Sequence, residues 1–162
     1  MKIKAVKGTV NAMLQKLETV IKLEASTVFS YAIAKNKGVL ESIIKQIRNE
    51  RPNPSEKYIE FNNKRIDIIK ELATKDAKGN PVIKPDGNYD LPDMSLFDKQ
   101  FDPLKEEYKE TVDEFEEKEK AYFQSMTNEM EIDIHKIQME YVPKIITPEQ
   151  MESILPFVEV PK

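Results

Sequence analysis

The sequence predicts an α+β domain that is mainly helical, with three to four long helices and a small antiparallel sheet made of a hairpin plus one later strand. Three observations carry that expectation. Long segments repeat apolar residues at the helical period. Asp86-Gly87 sits between two short apolar runs, the strongest local signal for a hairpin. Residues 130–135 alternate strictly between apolar and polar, as a half-buried strand does. A length of 162 residues, 40% of them hydrophobic, fits one domain over 1–162, with 76–93 as a hairpin insertion and 144–162 as a short C-terminal helix and tail.

Residues 2–7 alternate loosely and predict a short edge strand whose lysines blunt an exposed edge. After Thr9, the spacing of Val10, Met13, Leu14, Leu17, Val20 and Ile21 predicts an amphipathic helix. Ser26 or Thr27 caps a second helix carrying Val28, Phe29, Ala32, Ile33, Leu40, Ile43, Ile44 and Ile47. Gly38 weakens it by about 1 kcal/mol relative to alanine, and Pro52 and Pro54 stop it. Asn53 as cap, Pro54 at the first position and Glu56 at the third open another helix, which ends near Thr74.

The 76–91 stretch holds half of the glycines and reads as two turns around one short strand. Ser95 with Asp98 starts a helical segment, and Asp102-Pro103 marks either a fresh start or a kink in a continuing helix. Leu104, Tyr108, Val112, Phe115, Tyr122 and Phe123 give the following acidic helix one apolar face. Its Glu114/Lys118 and Glu116/Lys120 pairs are each worth about 0.2–0.5 kcal/mol. Met130, Ile132 and Ile134 share the buried face of the late strand. Thr147-Pro148-Glu149-Gln150 is a capping box for a short helix ended by Pro156, and residues 157–160 trail off as a tail that adds a last strand.

Composition excludes several chemistries. Zero cysteines rule out a disulfide scaffold, a thiolate metal site and a cysteine nucleophile. A single histidine rules out a His-rich metal site built by this chain alone. Four scattered glycines leave no phosphate-cradling loop. His135 and Asp133 fall on the polar face of the strand and predict solvent exposure, not a catalytic pair. Asp86, Asn88 and Asp90 resemble the start of a calcium loop, but Leu91 and Phe97 stand where glycine and glutamate are required. We therefore expect no enzyme, no cofactor and no metal. No stretch approaches the 18 apolar residues of a membrane span, and the charged N-terminus lacks a signal peptide's apolar run. An intracellular, non-membrane protein is expected.

The net charge of −4 conceals an asymmetry. Residues 1–51 hold ten Lys/Arg and four Glu, whereas residues 90–133 hold fifteen Asp/Glu and five Lys. In the basic part, Tyr31, Lys35, Asn36 and Lys37 are candidate binding residues, since ammonium groups hold a phosphate while an aromatic ring stacks a base. In the acidic part, Glu110, Asp113, Glu114 and Glu117 are candidates for engaging a basic partner. The alternative is that the basic and acidic parts face each other, within one chain or between copies.

The segments Ala34-Lys35-Asn36-Lys37, Lys75-Asp76-Ala77-Lys78-Gly79-Asn80, Glu131-Ile132-Asp133-Ile134-His135-Lys136-Ile137 and Thr147-Pro148-Glu149-Gln150, in that order, resemble a group of small uncharacterised proteins of tailed bacteriophages and prophages. Pro52 and Pro54 depart from that group, where a continuous helix is usual. The resemblance covers nearly the whole chain, brings no catalytic residues, and implies a viral protein in the host cytoplasm. The expected function is a non-enzymatic protein that binds a host or phage protein, as a host-defence inhibitor or DNA mimic through its acidic helix. Two alternatives stand beside it: a homo-oligomer that sequesters a small anionic signalling nucleotide, and a virion or assembly component. Wide apolar helix faces favour a homo-oligomer.

Overall fold

The structure is a computed structural model and describes residues 1–159; Val160 of the expected last strand, and the end of the expected tail, lie outside the described residues. In chain order the elements are β1 (Lys2–Val6), α1 (Val10–Glu18), α2 (Thr27–Asn49), α3 (Glu56–Leu72), α4 (Met94–Glu107), α5 (Lys109–Ser125), β2 (Glu129–Asp133), β3 (Ile137–Gln138), α6 (Pro148–Ile154) and β4 (Val158–Glu159). The protein is α+β and mainly helical, as the periodicities predict. The chain packs as two compact units: Met1–Arg51 together with the chain from Ala121 onward, and Pro52–Lys120.

The first unit is closed by the pairing of its first strand with the strand near position 130. β1 and β2 pair antiparallel, with Lys2 opposite Asp133, Ile3 opposite Ile132 and Lys4 opposite Glu131. Alternation turns Ile3 and Ala5 to the same buried side as Met130 and Ile132. The other side carries an ionic ladder: Lys2 to Glu131 at 2.9 Å, Lys4 to Glu129 at 3.8 Å, and the N-terminal ammonium to Asp133 at 3.3 Å. The ladder corrects the expected sheet, in which the 82–91 hairpin joins the late strand. β2 takes β1 instead, because that pairing matches both apolar faces and opposite charges. Just after β1, Gly8 donates its N–H to the Met126 carbonyl at 2.8 Å. A Cβ there would stand 3.1 Å from that oxygen, so the close approach favours glycine.

α1 packs on α2 and on α6, around a core of Val10, Leu17, Phe29, Leu40, Ile132 and Ile154. Burying each of these side chains contributes roughly 1.5–3 kcal/mol. α2 begins where its cap predicts, with Ser26 Oγ accepting from Phe29 N–H at 3.2 Å. α6 carries the full capping box: Thr147 Oγ1 accepts from Gln150 N–H, and Gln150 Oε1 accepts from Thr147 N–H. β3 and β4 form a parallel pair, Ile137 opposite Val158.

In the second unit, α3 packs on α4 over Phe61, Leu104, Tyr108 and Val112. Ser55, not Asn53, caps α3, accepting from Tyr58 N–H at 3.2 Å. Asp93 caps α4 ahead of the expected Ser95, accepting from Leu96 N–H at 3.1 Å. α4 then continues through Pro103, so the proline lies inside the helix and does not start a new one. The break comes at Tyr108, the single residue between α4 and α5. The hairpin is also modified. Asp86 keeps a negative φ and only Gly87 is left-handed, at φ +84°. Pro85, Asp86 and Gly87 thus form a three-residue loop, with Ile83 bridged to Tyr89.

Asn36 is the one fully buried polar side chain of α2. Its Nδ2 donates to the His135 carbonyl at 2.8 Å, and its Oδ1 accepts from the His135 N–H at 2.7 Å. The amide side chain thus replaces a strand partner for the backbone between β2 and β3. Asn36→Ala is expected to lower stability by about 2–4 kcal/mol, because it orphans one donor and one acceptor together. Urea unfolding of this variant beside Lys35→Ala measures it; the lysine variant should stay within about 0.5 kcal/mol of the parent.

Candidate functional site

The basic candidates separate according to their place around α2. Asn36 lies one helical turn from Ala32 and Leu40 on the buried face and is fully enclosed, which corrects its expected role: it is a backbone clamp and reaches no ligand. Lys37 is held by Glu18 at 3.4 Å and Glu41 at 3.6 Å. Tyr31 and Lys35 stay together on the exposed face, the ammonium 5.4 Å from the ring centre. The Asn36 clamp brings His135 to the same place, where its imidazole meets the Tyr31 ring edge-on at 5.4 Å. Elsewhere in the basic front, Lys2 and Lys4 are matched by β2 carboxylates, and Lys7 is matched by Glu50.

The acidic candidates do share one face. At 100° per residue, Glu110, Asp113, Glu114 and Glu117 fall within roughly 100° of arc on α5, away from Val112 and Phe115. All four are exposed. Glu114 accepts from the Lys118 ammonium at 2.6 Å, and that hydrogen bond with its charge holds the carboxyl below its ordinary value. Among the described residues the other three have no basic partner within 4 Å.

A third location, which sequence reasoning missed, lies in the second unit. A groove of about 290 Å³ is lined by Tyr58, Phe61, Asn62 and Arg65 of α3, Phe101 and Lys105 of α4, and Val112 and Glu116 of α5. Its rings belong to a connected aromatic cluster. Tyr58 lies 4.2 Å from Phe115, Phe61 lies 6.0 Å from Phe101 and 5.7 Å from Tyr108, and Phe97 stacks on Phe101 at 5.1 Å. Half-buried Arg65 donates to Asn62 Oδ1 from Nε at 3.3 Å and from Nη2 at 3.0 Å. Among the described residues, neither Arg65 nor Lys105 has a carboxylate within 4 Å. The only signal in the sequence is the i, i+3 spacing of Asn62 and Arg65 in a segment dense in aromatic residues.

A polar network stands on the Tyr108 side of that cluster. Lys64 donates to the Tyr108 hydroxyl at 2.7 Å, and the hydroxyl donates to Glu60 at 2.7 Å. Lys64 also lies 3.0 Å from Glu60. The Tyr108 bond, then Lys64, holds the Glu60 carboxyl below its ordinary value. The Tyr108 and Glu60 bonds hold Lys64 above its ordinary value. At Tyr108 the Lys64 bond pulls the hydroxyl down, but Glu60 and burial prevail and its pKa rises.

With the Glu60 value lowered on folding, its stabilising contribution is present above the ordinary Glu range and is lost as pH falls through the lowered value. Tyr108→Phe removes the largest cause and should move the Glu60 titration midpoint upward. Carbon-detected NMR of the Glu60 carboxyl follows it, and an unchanged midpoint would assign the shift to Lys64 alone. Comparison of the chain with protein-family models, with curated proteins and with solved structures gives no match in any of the three.

Proposed function

We propose that this is a non-enzymatic binding protein of a tailed phage or prophage, which acts in the host cytoplasm by occupying the nucleic-acid-binding surface of a host or viral protein. The acidic face of α5 is the contact. The reading rests on the spacing of its charges. Glu110 to Glu117 spans seven steps of about 1.5 Å, or about 10.5 Å, so the four carboxylates follow one another at about 4.5, 1.5 and 4.5 Å along the axis, a mean of about 3.5 Å. One strand of duplex DNA presents a phosphate about every 3.4 Å. The surrounding unit supports the same sign, since residues 52–120 hold eighteen Asp/Glu against twelve Lys/Arg. Its field therefore steers cationic surfaces toward the helix.

A host of this kind, such as a defence protein that recognises DNA, is blocked when carboxylates stand where phosphates are expected. The test uses the immobilised full chain and a bacterial lysate. Wild type should retain basic nucleic-acid-binding proteins that duplex DNA displaces. The variant carrying Glu110→Gln, Asp113→Asn, Glu114→Gln and Glu117→Gln should lose at least tenfold of that retention. Retention untouched both by competing DNA and by the four substitutions would contradict the reading.

A further inference from the structure

We propose that the groove of the second unit binds a nucleoside monophosphate whose base carries an exocyclic amine, with Arg65 and Lys105 on the phosphate and Glu116 on the amine. The four carboxylates of the acidic face take no part in it, so it stands apart from the preceding proposal. The starting point is Arg65. Arg65 is half-buried as a residue, and taking a guanidinium out of water without a counter-charge is costly. Here its fixed partner is the neutral Asn62 Oδ1, which takes two N–H groups and sets the plane of the fork. The remaining donors have no protein acceptor among the described residues. A guanidinium oriented in advance and left with spare donors suits bidentate recognition of a phosphate. Lys105, also without a carboxylate within 4 Å among the described residues, lines the same groove and adds a second positive charge.

The rest of the groove determines what the phosphate is attached to. Tyr58, Phe101 and Val112 supply apolar and aromatic wall, a surface for a planar base. About 290 Å³ is at the lower end of small-ligand sites, which suits a mononucleotide better than anything larger. Glu116 sits at the Tyr58 end, next to Phe115, whose ring lies 4.2 Å from that of Tyr58. Arg65 is seven residues further along α3, about 10.5 Å of helix. Arg65 and Glu116 therefore lie toward different ends of the groove. A phosphate alone would feel Glu116 as repulsion. An adenine or cytosine amine gives that carboxylate a donor, whereas uracil presents a carbonyl there.

Calorimetry on the full chain with AMP, CMP and UMP, and with adenosine and inorganic phosphate as partial ligands, tests this. AMP or CMP should bind at least tenfold more tightly than UMP, adenosine or phosphate. Arg65→Gln and Lys105→Gln should each weaken AMP at least tenfold with circular dichroism unchanged. Glu116→Gln should narrow the gap between AMP and UMP, and Lys35→Gln should leave AMP binding unaltered. If Arg65→Gln fails to fold, Lys105→Gln and Asn62→Ala carry the same test, the latter by releasing the anchor. The proposal is overturned by absence of binding to AMP and CMP at millimolar concentration, by phosphate binding as tightly as AMP, or by AMP binding that depends on Lys35 and not on Arg65 or Lys105.

Discussion

The pairing of β1 with β2 is the constraint on which the rest of this protein depends. It joins the first residues of the chain to residues near position 130, and such a non-local contact has a large loop-closure cost. Two complementary features offset that cost: Ile3 and Ala5 matched to Met130 and Ile132 on one side, lysines matched to acidic residues on the other. Once this closure is made, α1, α2 and α6 have a common core, and the intervening segment is free to fold on a core of its own. The closure also redistributes charge. The basic front falls in one unit with the acidic strand β2, and that unit holds thirteen Lys/Arg and eleven Asp/Glu, while residues 52–120 keep the excess of acid.

The two units solve burial by different chemistry. The first relies on aliphatic side chains, with Phe29 and Phe157 the two aromatic rings among its buried core residues, and ties its irregular backbone through Asn36. The second uses a chain of aromatic rings from Phe97 to Phe115, edged by the Glu60–Lys64–Tyr108 network on one side and by Arg65 and Asn62 on another. The acidic face of α5 is a consequence of the same packing: Val112 and Phe115 point inward, so Glu110, Asp113, Glu114 and Glu117 point outward.

Local signals were legible in proportion to how local their physics is. The Ser26 cap, the Thr147–Gln150 capping box and the alternation of residues 130–135 depend on neighbours within a few positions, and the structure has a cap, a box and a strand (Glu129–Asp133) there. The partner of β2 did not, because pairing register is decided by faces and charges more than a hundred positions away. Asn36 looked like a surface ligand because polar residues in helices usually are; its burial is set by a backbone segment 99 positions later in the chain. The shift of the α3 cap from Asn53 to Ser55 reflects two adequate caps flanking one proline. The groove is hidden for a related reason: Arg65 lies in a stretch of balanced charge, and only the packing of α3, α4 and α5 reveals that no carboxylate among the described residues answers it. The exposed acidic face, by contrast, follows from helical spacing alone.

The register of β1 against β2 carries the account, and a disulfide tests it in a chain that has no cysteine of its own. Met1 and Ile134 exchange both backbone hydrogen bonds, so Lys4 and Glu131 form a non-hydrogen-bonded pair, the geometry in which opposing side chains come closest. Lys4→Cys with Glu131→Cys should oxidise to an intramolecular disulfide without loss of folded structure, while Lys4→Cys with Asp133→Cys should remain reduced under the same conditions. The reverse preference, or failure of both pairs to close, would show that the two ends do not meet in this register.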